Sequence, residues 1–186
     1  MEGRIIYFDT PGKINTDETL KAARRRAEEL RIKQVVIAST HGYTAKRAVD
    51  IFKGLDVEIV SVSICAGFEE EGWTMTRKER EELERLGIKV LTSMHSFGDD
   101  VNDAFTESAP CRIVRETLYR FSQGMKVAVE IAIMAADAGL IDLSGEVIAV
   151  GGTNEGADTA IVIKPAYARK FKELEIREII AKPRSG

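Results

Sequence analysis

Six consecutive residues, Ser39, Thr40, His41, Gly42, Tyr43 and Thr44, place three aliphatic hydroxyls and a glycine between an apolar run, Gln34 to Ala38, and a helical pattern. That arrangement suits an anion. A helix start leaves several backbone N–H groups without internal partners and carries roughly half a unit of positive charge. Ser39, Thr40 and Thr44 add hydroxyl donors, and Gly42 permits a tight concave turn with close approach of the backbone to a ligand oxygen. The expectation is a phosphate site; the competing interpretation is that Thr40 or Gly42 does no more than cap the helix. No Gly-x-x-x-x-Gly-Lys run occurs, which excludes a nucleotide-hydrolysing P-loop, and no Gly-x-Gly-x-x-Gly run marks a dinucleotide site.

A second loop follows another apolar run. Gly151, Gly152, Thr153, Asn154, Glu155, Gly156, Ala157 and Asp158 lie where a further ligand loop is expected, or form a hairpin whose glycines serve only the turn. Gly67 follows a third apolar run, where a missing side chain would admit a planar ring. Phe68, Trp73 and Phe97 are candidates for the apolar surface that the body of a ligand needs, since a few phosphate hydrogen bonds do not by themselves sustain micromolar binding. His41 and His95 are the only histidines, and both fall in loops where proton transfer is conceivable. A serine nucleophile is not expected, because no Ser, His and Asp set can be assembled. Asp99, Asp100, Asn102 and Asp103 are either oxygen ligands for a hard cation or a solvated acidic loop, and the latter is the expectation.

These residues need a scaffold that gathers strand ends. Apolar runs of strand length alternate with helical periodicity: Arg4 to Phe8, Gln34 to Ala38, Val57 to Ile64 and Ile88 to Thr92 as strands, with Leu20, Ala23, Ala27 and Leu30, then Ala45, Ala48, Val49 and Phe52, as helix faces. The alternation predicts a single α/β domain over 1–186 with a mainly parallel sheet. Asn15 and Glu18 form a capping-box pattern at the first helix. Arg24, Arg25 and Arg26 are expected to point outward and pair with Glu28 and Glu29 on the surface. Ser93 to Ala109 has no periodicity, which predicts a functional loop. Pro110 opens a helix, Gly124 interrupts it, and Met125 to Ala138 continues it with apolar residues nearly all round until Gly139. Such a helix lies centrally or packs on another subunit, so a homo-oligomer is expected. Glu146 to Val150, Ala160 to Lys164 and Ile176 to Ile180 read as closing strands, the last two pairing antiparallel.

Composition narrows the functions. With 44% hydrophobic and 31% charged residues and a net charge of -3, the composition does not indicate a basic groove for nucleic acid, and no apolar run is long enough for a membrane-spanning helix, so neither partner is expected. The N-terminus does not resemble a secretory signal, so a cytoplasmic location is expected. Cys65 and Cys111 lack metal or redox spacing and are expected as reduced thiols, with no structural metal site.

The stretch Val35-Val36-Ile37-Ala38-Ser39-Thr40-His41-Gly42-Tyr43-Thr44-Ala45-Lys46-Arg47 resembles the allosteric C-terminal domain of pyruvate kinase, where a similar loop holds an effector phosphate. The likeness extends more loosely from Thr16 to Val57, departs over Glu69 to Gln123, and lacks the catalytic barrel, so it does not imply kinase activity. The whole chain is more similar to small stand-alone archaeal proteins of the pyruvate kinase C-terminal-like fold, which look like binders of flavin mononucleotide (FMN). The resemblance implies a three-layer α/β/α sandwich with a mostly parallel, mixed sheet. It also implies phosphate contacts at Ser39, Thr40, Gly42, Tyr43 and Thr44, with Lys46 as a charge partner. The expected function is binding of a phosphorylated small molecule, most simply FMN. The alternatives are a flavin-dependent or acid–base enzyme using His41 or His95, and an effector-sensing subunit of a larger assembly.

Overall fold

Val35, Val36 and Ile37 have no exposed surface, and three buried β-branched residues in succession demand a strand covered on both faces. They form the middle of β2 (Gln34–Ala38), an interior strand of a seven-stranded sheet in the computed structural model, which describes residues 3–97 and 110–185. The other strands are β1 (Ile6–Phe8), β3 (Glu58–Ile64), β4 (Lys89–Ser93), β5 (Val147–Gly151), β6 (Thr159–Lys164) and β7 (Glu175–Pro183), in the spatial order β1-β7-β6-β5-β2-β3-β4. β2 pairs parallel with β3 and β5, β3 with β4, and β1 with β7. Only β6 runs against its neighbours β5 and β7, as its pairing with the last strand required.

Side chains alternate across β2, and the two faces feed two cores. Val35 and Ile37 pack with Leu20, Ala23 and Ala27 of α1 (Thr16–Leu30), Ala45, Ala48 and Phe52 of α2 (Tyr43–Phe52) and Leu83 of α3 (Arg77–Arg85). Val36 faces the other way, into a core shared with α5 (Gln123–Asp137) and Leu118 of α4 (Pro110–Tyr119). The result is the α/β/α sandwich with a mixed sheet.

Several local expectations change. Asn15 does not cap α1: its backbone is helical and its amide donates to the Thr10 carbonyl, because a 3-10 turn, Lys13–Asn15, already precedes the helix. Arg26 makes the expected pair with Glu29 but is half-buried and reaches farther. Its guanidinium grips both oxygens of Glu178 on β7 at 2.6 Å and a third bond at 2.6 Å reaches Glu29. Gly124 is not a helix break. The break lies at Arg120 to Ser122, Ser122 caps α5 through the Met125 N–H, and Gly124 is glycine because a Cβ there would stand 2.3 Å from the Thr159 hydroxyl. The apolar surface of α5 is absorbed by β2, β3, β5, β6 and α4 of the same chain, so it supplies no argument for a second subunit. Among the described residues no helix is long and apolar enough to cross a membrane. Asp99, Asp100, Asn102 and Asp103, with most of the aperiodic segment, lie outside the described residues.

Candidate functional site

The carboxyl ends of β2 and β3 open into a cleft of about 350 Å³, near the lower end of the roughly 300–1,000 Å³ typical of small-ligand sites. Parallel strands deliver their following loops to one edge of the sheet, so this is where the topology places ligands. Ser39, Thr40, His41, Tyr43 and Thr44 line one side.

The loop is held by hydrogen bonds to β3 and by one to the start of α2. Ser39 N–H donates to the Val62 carbonyl at 3.0 Å, the Ser63 hydroxyl donates to the Thr40 carbonyl at 3.2 Å, and the Ser39 hydroxyl accepts from Ala45 N–H at 3.3 Å. That leaves the N–H groups of Tyr43 and Thr44 in the first turn of α2, where a helix provides no internal acceptor. Gly42 is the N-cap at φ +83, in the left-handed region that favours glycine. Its role differs from close approach to a ligand: it is buried, a Cβ would sit 3.1 Å from Leu83 on α3, and it does not line the cleft. The glycine lets the loop after β2 rest on α3.

Lys46 is not a charge partner for the cleft. Its ammonium lies 2.7 Å from Glu82 of α3 and holds that carboxyl below its usual range. A different cation stands at the rim. Lys13, from the turn before α1, lines the cleft with Nζ 4.5 Å from the Tyr43 ring centre and 3.1 Å from Glu155.

His41 also lies on the rim, where both ring nitrogens face protein acceptors: Glu79 at 3.2 Å and the Gly72 carbonyl at 3.0 Å. The ring is a strut between the loop after β2 and the segment leading into α3, a poor position for proton transfer to a ligand. Burial raises the Glu79 carboxyl, but the Thr76 N–H and hydroxyl together with His41 outweigh that and hold it below its ordinary value. His95, just past β4, lines the cleft directly.

The glycine-rich loop between β5 and β6 forms another wall through Gly152, Asn154, Glu155 and Gly156. Gly151 and Thr153 do not face the cleft. Gly151 ends β5, where a Cβ would stand 2.4 Å from the Gly124 carbonyl oxygen, so its role is to let the sheet and α5 touch. Thr153 donates its N–H to buried Asp158, as does Gly12. Gly156, at φ +73, is pressed against Thr16, whose hydroxyl accepts from Ala157 N–H.

Gly67 and Phe68 are also absent from the lining. Gly67 is exposed, with only the Cys65 sulfur within 4 Å of a hypothetical Cβ, so no packing demands a glycine there. Phe68 stacks on half-exposed Trp73 at 5.8 Å and meets the His95 ring edge-on at 6.0 Å, one residue back from the cleft. Phe97 is a core residue against Phe171.

Sequence reasoning missed the far wall. Lys126, Glu130 and Met134 follow one another by single turns along α5, and all three line the cleft with Val127 and Ile131. Lys126 and Glu130 form an ion pair at 2.5 Å with side chains 4% and 2% exposed. Two opposite charges four residues apart in an apolar helix were the available signal.

Residues 17–163 match the family model described as pyruvate kinase, alpha/beta domain. Among solved structures, a pyruvate kinase from Cryptosporidium parvum is similar with 12% identity and a TM-score of 0.42, over 79% of this chain and 22% of that one. A complex of Cryptosporidium parvum pyruvate kinase with ADP gives 13%, 0.40, 79% and 22% respectively. A Podospora anserina methyltransferase bound to SAH gives 13% identity and a TM-score of 0.36 over 75% of this chain and 53% of that one. The chain thus spans about a fifth of the length of the kinases it matches.

Proposed function

The chain belongs to the family of the pyruvate kinase alpha/beta domain, and from that premise we propose that it binds a phosphorylated small molecule, best represented by FMN, with the phosphate on the Ser39 to Thr44 loop. One observation carries the proposal: the first turn of α2 opens into a cleft at the strand ends, with the Thr40 and Thr44 side chains beside two N–H groups that the helix cannot satisfy. Thr44 is 3% exposed yet lines the cleft, so its hydroxyl is positioned by packing rather than floating in solvent. Lys13 supplies positive charge at the rim, and Val62, Ile64, Ile131 and Met134 offer apolar surface for the body of the ligand. Phosphate position and apolar body together meet the composition expected of a small-ligand site.

The test is calorimetric titration of FMN and riboflavin, which differ in the phosphate alone, with a visible spectrum of untreated protein beforehand. FMN binds and riboflavin binds much more weakly. Hydrogen bonds to a charged group contribute about 1.5–3 kcal/mol each, so Thr40→Val with Thr44→Val weakens FMN at least about a hundredfold while riboflavin is little affected. Equal affinity of the double variant for FMN removes the phosphate from this loop. A colourless protein whose melting is unmoved by FMN but raised by sugar phosphates keeps the loop and rejects the flavin.

A further inference from the structure

The segment between β3 and α3, residues 65–76, borders the cleft with little to hold it down. None of these residues is buried, and several of its backbone bonds are internal: Phe68 N–H to the Cys65 carbonyl, Gly72 N–H to Glu69 and Trp73 N–H to Phe68. A segment with few buried contacts opens at low free-energy cost, so its individual ties to the rest of the fold decide how it sits. Met75 packs against the core of α1, α2 and α3, the Phe68 ring meets His95, and the Gly72 carbonyl faces His41.

The His41 tie has a chemical requirement of its own. Nε2 stands 3.0 Å from the Gly72 carbonyl oxygen, and Nδ1 stands 3.2 Å from Oε1 and 3.3 Å from Oε2 of Glu79. A carbonyl oxygen only accepts. Glu79 is an acceptor as well: its Oε2 takes both the N–H and the hydroxyl of Thr76 at 2.8 Å, and despite burial its carboxyl is held below the ordinary range by Thr76 and His41. A neutral imidazole has one N–H and one bare lone pair, whereas the imidazolium has two N–H donors. Both contacts are therefore hydrogen bonds only when the ring is doubly protonated. In the neutral ring one nitrogen lone pair is set against an oxygen.

We propose that His41 is a proton-dependent latch: its doubly protonated ring ties residues 65–76 to the loop after β2, and loss of one proton releases one of the two bonds. The same proton puts a positive charge on the rim of the cleft, so closure of the segment and attraction of an anion go together. The latch does not depend on any bound phosphate, because both of its partners belong to the protein. The charged and titratable groups around the ring are Glu79 on α3, Glu69, Glu70 and Glu71 on the segment, and Lys13, His95, Lys126, Glu130 and Glu155 along the cleft. Carboxylates ordinarily change charge below, and lysines above, the interval of about pH 5 to 8 in which histidines do. His95 is the other histidine, and substitution of His41 separates the two.

Hydrogen exchange of the full chain without ligand, read by mass spectrometry over residues 65–76 and expressed as protection relative to the intrinsic rate at each pH, tests the latch. Losing a hydrogen bond to a charged group corresponds to at least about a tenfold change in an equilibrium, so wild-type protection of the segment falls at least about tenfold between about pH 5.5 and 8. His41→Leu has no donor and is poorly protected at both values. His41→Lys keeps donors and charge throughout, so its protection changes less than about twofold. Residue 41 is exposed, and peptides from β2 and β5 serve as internal references for global stability. Equal wild-type protection at the two pH values overturns the proposal. A fall of wild-type size that persists in His41→Leu or His41→Lys overturns it too, because the responding group is then not His41.

Discussion

Asp158 is the residue on which the walls of the cleft depend, and its replacement tests that dependence. It has no exposed surface. Oδ2 accepts from Gly12 N–H at 2.8 Å and Thr153 N–H at 3.2 Å, and Oδ1 accepts from the Thr159 hydroxyl at 2.9 Å. One carboxylate thus ties the turn before α1, which carries Lys13, to the β5–β6 loop. In Asp158→Ala the Thr159 hydroxyl keeps Ser122 as a partner at 3.0 Å, but the two backbone N–H groups lose their acceptor. Each orphaned group costs about 1–3 kcal/mol. Because Gly12 and Thr153 are only partly buried and water can reach them, the expected total is about 2–4 kcal/mol, from a typical stability of about 5–15 kcal/mol. Asp158→Asn behaves differently. Its amide oxygen can still face Gly12 and Thr153 with the nitrogen toward Thr159, so the loss is confined to the charge, about 1–2 kcal/mol. Urea unfolding of the three proteins, with slopes compared to establish two-state behaviour, measures both numbers. An alanine variant within about 0.5 kcal/mol of wild type, or an asparagine variant as damaged as alanine, refutes the assignment.

Two further predictions concern charge. Lys13 and Glu155 are 50% and 75% exposed, a pair of the kind that contributes at most about 1 kcal/mol and is easily exchanged. If Lys13 leaves Glu155 for a ligand phosphate, Lys13→Gln lowers FMN affinity and Glu155→Gln raises it by about two- to fivefold, with both effects shrinking at high salt. Weaker binding by Glu155→Gln in calorimetry contradicts the exchange. The second prediction is a pH dependence. The Arg26 guanidinium, bonded to both oxygens of Glu178, holds that carboxyl below its ordinary value of 4.5. A depressed folded-state pKa means that the stabilisation is fully present above 4.5 and is lost as pH falls through the lower folded value. Arg47 depresses Asp17 in the same sense on a more exposed surface. Arg26→Gln therefore makes stability less sensitive to acid as pH falls below 4.5; urea midpoints that fall as steeply as in wild type show that Glu178 is not the responsible group.

The architecture was legible because its determinants are local. Val35, Val36 and Ile37 cannot be satisfied by an amphipathic helix, and Leu20, Ala23 and Ala27 cannot be satisfied by a strand, so the alternation emerges from periodicity alone. The errors arose where a residue answers to something distant. Asn15 carries a good capping side chain, but Asp158, 146 positions from Gly12, fixes the preceding turn and the helix starts from a 3-10 entry. Gly124 reads as a helix breaker from propensity, whereas its cause is the Thr159 hydroxyl on a strand that comes later in the chain. Arg26 looked like a surface charge because Glu29 is near in sequence. Its stronger partner, Glu178, is 152 positions away.

The candidate site divides along the same line. Ser39, Thr40, His41, Tyr43 and Thr44 line the cleft, and their clustering is legible because a strand, a loop and a helix start are contiguous, a local unit sufficient to suggest an anion site. The charge expected beside it was assigned by proximity to Lys46, and proximity misled: a helix lysine pairs with whichever carboxylate the neighbouring helix offers, here Glu82. Lys13 reaches the rim through a turn held by Asp158, and its partner Glu155 lies 142 positions away. Lys126 and Glu130 escaped for a different reason. Periodicity assigns both to a buried helix, and it does not say where on that helix the sheet leaves an opening. Two opposite charges one turn apart can pair with each other when buried, and these two do so on the lining of the cleft.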